Sequence, residues 1–309
     1  MEAIETQMKK PDFFVVGAPK CGTTSLSEYL KQHPQIFMSE PKEPHFFGTD
    51  LKSHWGGRFE RYRDGDKYLS LFANVRDETR VGEASPWYLY SRRAAGEIKR
   101  FNPASRIIIM LRNPVDMIYS LHGQQLYNGN EEIVDFESAL DAENDRRNGL
   151  RIPRTAHNPA ALLYTDTAKY SEQVQRYFDV FDAERIHVII FDDFVSDTSV
   201  AYRETLRFLN VDTDHQPQFE VHNPSKKIRS VALNRFLMVR HLYFHSIKWI
   251  VPVTLRRKMI NSLERLNVKQ SARPPISPEL RSRLQKEFLA DVDKLSTLLS
   301  RDLTYWCQD

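Results

Sequence analysis

Near the N-terminus the chain runs Phe13-Phe14-Val15-Val16-Gly17 into the loop Ala18-Pro19-Lys20-Cys21-Gly22, then into Thr23-Thr24-Ser25 and an amphipathic helical pattern. No other feature restricts the fold as much. A strand that ends at a glycine and continues through a short loop into a helix sets that helix's free N–H groups over the strand's C-terminal end. Arg106–Leu111 (RIIIML) and Ile186–Phe191 (IHVIIF) have the same apolar, β-branched character, and each is followed by a turn and a helical pattern. This alternation predicts an α/β fold, a doubly wound parallel sheet flanked by helices. Thr79–Glu83 adds a short strand, and helices are expected over Thr23–Gln32, Pro114–Tyr127, Thr167–Phe181 and Val200–Leu209.

The last third changes character. From about 230 to 269 it is rich in Arg, Lys, Leu and aromatics and poor in strand signals. After Pro274-Pro275, Ser277-Pro278-Glu279 opens a helix with a capping serine and a proline in the first turn. Leu284, Phe288, Val292, Leu295 and Leu299 recur at helical spacing, a stripe that packs on the body of the domain. The expectation is one domain over residues 1–309, with a core over about 11–230 and a helical C-terminal part over about 231–309.

Lys and Arg total 44 against 41 acidic residues, a net charge of +3, which argues against a protein that coats nucleic acid. Two distant cysteines, Cys21 and Cys307, make neither a metal-ligand pattern nor a disulfide framework, so a reducing, cytoplasmic setting is expected. No apolar stretch is long enough to span a bilayer, and the first residues lack a secretory signal pattern. One segment, 241–258, carries aromatics between basic ends and reads as an interfacial helix against a membrane or, the favoured reading, as a packed helix pair.

The spacing Gly17-x-x-x-x-Gly22 is that of a P-loop-type phosphate cradle, yet Thr23 stands where a Walker motif has its lysine. The lysine here is Lys20, inside the loop. A lysine at that position can approach the bridging oxygen of a phosphosulfate, where charge builds as the S–O bond breaks. Thr23, Thr24 and Ser25 add hydroxyl donors; the plainer reading is a strand, a turn and a Thr/Ser helix cap. Cys21, close to a helix N-terminus, is expected to have a lowered thiol pKa but no catalytic part. Further on, Arg112 comes directly after a strand and Ser120 lies on the next helix, so that a planar guanidinium points into the crevice where such sheets bind ligands.

The stretch FFVVGAPKCGTTSLSEYLKQHPQIFMSEPKEPHFF resembles the 5′-phosphosulfate loop and adjoining region of sulfotransferases that use 3′-phosphoadenosine 5′-phosphosulfate (PAPS). It is most similar to the heparan sulfate (glycosaminoglycan) N- and O-sulfotransferase type and its bacterial relatives. The similarity runs from Phe13 to Trp306 and is weakest between Tyr127 and Leu162.

That resemblance implies a sulfotransferase that works without a metal and releases adenosine 3′,5′-bisphosphate (PAP). It implies that Lys20, Cys21, Gly22, Thr23, Thr24 and Ser25 hold the 5′ end of the donor, with Lys20 assisting transfer. LRNPVDMIYS is similar to the 3′-phosphate motif, which gives Arg112 and Ser120 that role. In KEPHFF, Glu43 takes the place of the base, with Lys42 beside it and His45 as the competing base. The basic run after His222 resembles the late loop that closes over the nucleotide, naming Lys227, Arg229 and Ser230. Ser85 and Trp87 are cleft candidates, Trp87 equally a core residue, and His122, Gln124 and Tyr127 are expected on the acceptor side. The acceptor is a hydroxyl or amine, of a glycan or another molecule and not of nucleic acid. Two alternatives stay open: a P-loop small-molecule kinase, with Asp192 or Asp193 as magnesium ligand, and a non-catalytic nucleotide-binding protein.

Overall fold

The computed structural model describes residues 9–51, 60–220, 226–228, 268–270 and 273–308. All five residues of strand β1 (Phe13–Gly17) are buried. It lies between β3 (Arg80–Ala84) and β4 (Arg106–Leu111), with β2 (Ile36–Met38) outside β3 and β5 (Ile186–Ile190) outside β4. Every pairing is parallel, in the order β2-β3-β1-β4-β5. Both faces of such a sheet are covered, which is why its central strands are continuous apolar runs rather than alternating ones.

Strands β1 and β4 have the bounds expected from sequence, and β3 begins one residue later. β5 stops at Ile190, because Phe191 already opens a short helix, Phe191–Ser196. The edge strand β2 was not foreseen: three residues carry no periodic signal.

Six helices of eight or more residues stand among the described residues: α1 (Thr23–Lys31), α2 (Ala94–Phe101), α3 (Pro114–Tyr127), α4 (Tyr170–Phe178), α5 (Thr198–Leu209) and α6 (Pro278–Leu299). α5 starts two residues before the expected Val200 because Asp197 caps it, accepting from Val200 N–H at 2.9 Å. The helix expected over Thr167–Phe181 is broken. A short helix, Tyr164–Ala168, precedes α4, and Lys169 between them is non-helical at ψ 86. Gln173 Nε2 donates to the carbonyls of Asp166, Thr167 and Lys169, satisfying groups the break would orphan.

α6 has the predicted cap, Ser277 Oγ accepting from Leu280 N–H at 3.2 Å. Its stripe of Leu284, Phe288, Val292 and Leu295 is buried, and the helix packs against α4 and α3. The terminal turn Thr304–Cys307 folds beneath it and is pinned to the segments that follow β4 and β5. Asp192 accepts from Trp306 Nε1 at 2.9 Å and from Tyr305 O–H at 3.1 Å, and Asn113 Nδ2 donates to Trp306 O at 3.0 Å.

Within the part expected to be helical, β7 (Val268–Gln270) pairs antiparallel with β6 (Lys226–Ile228), and β6 runs beside α3. The segment 241–258, Arg229 and Ser230 lie outside the described residues. No described helix is long and apolar enough to cross a membrane.

From β1 the chain leaves toward β2, and from β4 it leaves toward β5, on opposite sides of the sheet. The loops after β1 and β4 therefore bracket the switch point, where open α/β sheets hold ligands.

Candidate functional site

The loop after β1 is tightly set. A Cβ on Gly17 would meet Leu89 Cβ at 2.4 Å and the Pro86 carbonyl at 2.9 Å, so only glycine lets the strand end pass beneath the turn 86–89. Lys20 has φ 64, a left-handed conformation that a non-glycine residue adopts at a cost and that recurs at functional sites. Gly22, φ 91, then turns the chain into α1. The half-buried Lys20 side chain points toward α3, its Nζ donating to Gln124 Oε1 at 3.1 Å. Burial lowers the pKa of this ammonium, the Arg112 guanidinium lowers it further, and Glu43 opposes both.

Cys21 departs from expectation. Its side chain belongs to the core, its Sγ lies 3.9 Å from Tyr170 Oη, and burial pushes the thiol up to about 12. Desolvation outweighs the helix N-terminus here, so Cys21 has only its backbone N–H to offer the loop. Thr23 is buried at the first position of α1. Thr24 Oγ1 accepts from Lys42 Nζ at 2.8 Å, and Ser25 is half-buried beside it.

Arg112 leaves β4 just before Asn113 caps α3, with the Asn113 side chain accepting from Val115 N–H at 3.0 Å. The Arg112 guanidinium sits 4.7 Å over the Phe191 ring and reaches within 3.5 Å of the Lys20 carbonyl. Ser120 is half-buried and one helical turn before Gln124, so both lie on the face of α3 turned to the Lys20 loop. His122 faces the other way. It is fully buried, accepts at Nδ1 from Arg273 Nη2 (2.9 Å) and donates from Nε2 to the Ile133 carbonyl (2.9 Å). Burial lowers its pKa to about 4, with Arg273 adding to the effect. His122 is therefore a neutral structural group, and the expected place on the acceptor side is corrected.

Glu43 and His45 both have left-handed backbones, φ 62 and φ 53. Lys42 Nζ lies 3.5 Å from Glu43 Oε1, and His45 Nε2 lies 3.6 Å from Glu43 Oε2. The Glu43 side chain is 28% exposed and that of His45 2%, so the imidazole stands behind the carboxylate. Arg63 fixes the next stretch of backbone, donating to the carbonyls of Phe46, Phe47, Gly48 and Leu51. Through Lys42 on Thr24, the carboxylate is tied to the phosphate loop.

Two cleft candidates are interior instead. Trp87 is buried beside Tyr90, and Ser85 is buried with its O–H donating to Glu83 Oε1 at 2.6 Å. Glu83 itself went unnoticed in the sequence, although an acid inside the otherwise apolar run Val81–Ala84 is a signal. It is fully buried, and burial raises its pKa to about 7. Asp192 and Asp193 are committed to the C-terminal segment, Asp193 through a two-pronged pair with Arg301 at 2.5 and 2.9 Å. Lys227 is in β6 opposite Lys269.

A model described as "Sulfotransferase domain" matches residues 10–248. Carbohydrate sulfotransferase 15 of Homo sapiens is 27% identical over 253 residues, covering 65% of this chain and 44% of that protein. Heparan sulfate glucosamine 3-O-sulfotransferase 6 of Homo sapiens is 31% identical over 116 residues, 38% of this chain and 31% of its own length. The chain thus spans less than half the length of these curated relatives. A sulfotransferase crystal structure from Alicyclobacillus acidocaldarius aligns with a TM-score of 0.73 and 31% identity, over 96% of this chain and 99% of that one. With the family match running through the loops of Lys20, Glu43 and Arg112 alike, the chain belongs to the sulfotransferase family.

Proposed function

We propose that the chain moves a sulfuryl group from PAPS to an acceptor hydroxyl or amine. The observation that carries this is the convergence of Arg112 on the loop of Lys20, within 3.5 Å of its carbonyl. Two cations crowded in a half-buried place repel one another unless an anion lies between or beside them, and the Lys20 pKa, lowered by burial first and by Arg112 next, reflects that setting. A nucleotide with a phosphate at each end of its ribose fits such a pair of cradles. The N–H groups of the loop and the hydroxyls of Thr24 and Ser25 take the 5′ end, and Arg112 with Ser120 takes the 3′-phosphate.

In this reading Glu43 takes the acceptor proton as the new bond to sulfur forms. Lys20 stabilises the charge left on the 5′-phosphate as the old S–O bond breaks. Glu43 suits the part better than His45, because its carboxylate is the one open to an incoming acceptor. Lys42, held by Thr24 and Glu43, orients the transferring group. A cavity of about 530 Å³ opens beside Lys42 between α1 and residues 38–42, lined in part by Lys31, Ser39 and Glu40. Neither Glu43 nor Lys20 lines it, so it flanks the reacting centre; what supports a carbohydrate acceptor is the likeness to carbohydrate sulfotransferases.

The test is transfer of labelled sulfate from PAPS to unsulfated and partly sulfated glycans, run beside Glu43→Gln. We expect transfer by the wild type and a loss of about 10²- to 10⁴-fold in Glu43→Gln with donor affinity kept. Near-normal turnover in that variant excludes Glu43 as the base. Turnover of ATP in place of PAPS overturns the reading as a whole.

A further inference from the structure

Glu83 has no part in the chemistry above, yet it stands directly behind it. Both its oxygens are satisfied in the interior: Ser85 O–H donates to Oε1 and Tyr68 O–H to Oε2, each at 2.6 Å. With its proton committed to Glu83, Ser85 Oγ is left as an acceptor, and the backbone N–H of His45 donates to it at 3.3 Å. One residue earlier, the Ala84 carbonyl accepts from Glu43 N–H at 3.1 Å. The end of β3 therefore grips the two left-handed residues of the turn, Glu43 and His45, whose side chains stand 3.6 Å apart. A buried hydroxyl free to rotate would not hold His45 N–H in one place. The carboxylate fixes that rotation.

We propose that Glu83 is a positioning residue, acting through Ser85 to hold the turn Lys42–His45 in the conformation that presents Glu43 to the acceptor. The proposal rests on Glu43 being the base, so its test includes a measurement that needs no acceptor.

Glu83→Gln keeps the volume but offers one acceptor oxygen to two hydroxyl donors. Ser85→Ala removes the acceptor of His45 N–H, and Ser85→Thr keeps a hydroxyl there. In the full chain at about pH 8, where Glu83 is the carboxylate that accepts from both hydroxyls, amide hydrogen exchange at His45 should quicken by about tenfold or more in Glu83→Gln and Ser85→Ala, and stay near wild type in Ser85→Thr. Turnover on any glycan the wild type sulfates should fall about 10- to 100-fold in the first two variants, while PAP affinity stays within about twofold. Unchanged His45 protection in both variants overturns the proposal. So does a parallel loss of PAP affinity, thermal stability and turnover, which marks Glu83 as a core residue only. A wild type that sulfates no glycan counts against the transferase reading, and the His45 exchange rates still decide the role of Glu83.

Discussion

Lys20 Nζ donates to Gln124 Oε1 at 3.1 Å, across 104 residues of chain. With the Arg112 guanidinium on the Lys20 carbonyl, that bond joins the loop after β1 to the strand end and helix of β4, which brings the two proposed anion cradles together. It also gives the ammonium a neutral partner that a phosphosulfate oxygen can replace.

Lys20→Ala should therefore lower turnover by about 10²- to 10³-fold, the effect of deleting one donor to a developing negative charge. Steady-state kinetics beside PAP calorimetry checks this. The drop in turnover should exceed any drop in affinity, because the charge that Lys20 meets is largest in the transition state.

Arg112→Ala should cost PAP about 1.5–3 kcal/mol of binding, the range for a hydrogen bond to a charged group, or roughly 10- to 150-fold in affinity. Adenosine 5′-phosphate, which has no 3′-phosphate, should lose far less. Equal losses for the two nucleotides place Arg112 somewhere other than the 3′ end.

Glu83 and His122 set opposite pH trends in stability. Glu83 has its pKa raised from 4.5 to about 7, so between those values the folded chain holds the proton that the unfolded chain has released. Its contribution is present below pH 4.5 and lost as pH rises to about 7, by on the order of 3 kcal/mol. Unfolding free energies of wild type and Glu83→Gln over this window should show the difference, wild type minus variant, falling with pH.

His122 runs the other way. Its pKa is lowered from 6.5 to about 4, so the stability of its neutral, Arg273-bonded form is present above 6.5 and lost as pH falls toward 4. The difference between wild type and His122→Gln should rise with pH across that range.

α6 buries Phe288 fully and leaves Leu289 43% exposed. Phe288→Ala should cost about 3–5 kcal/mol in urea unfolding, and Leu289→Ala less than about 0.5 kcal/mol. Because α6 packs on α3, which carries Ser120 and Gln124, the first variant should also weaken PAP binding.

Much of this was legible in the sequence, for identifiable reasons. β1 and β4 are continuous apolar runs because both faces of the sheet are covered, and α3 and α6 announce themselves with Asn113-Pro114 and Ser277-Pro278. Arg112 is placed by the crevice at the strand ends and Lys20 by its strand–loop–helix setting, whereas Glu43 is named only through the resemblance of KEPHFF to sulfotransferases. What was hidden depended on distant partners or on burial. Glu83 is explained by Tyr68 and Ser85, and Lys20 by Gln124. The helix N-terminus beside Cys21 is visible in the sequence, but the core that sets its thiol is not. His122 comes two residues after Ser120, about 200° around the helix, so periodicity alone had already turned it away from the nucleotide face.

The most direct test of the whole account is a crystal structure of the chain with PAP. The prediction is one molecule spanning both cradles, with its 5′-phosphate on the loop of Lys20 and its 3′-phosphate on Arg112 and Ser120. A nucleotide with either phosphate bound elsewhere contradicts it.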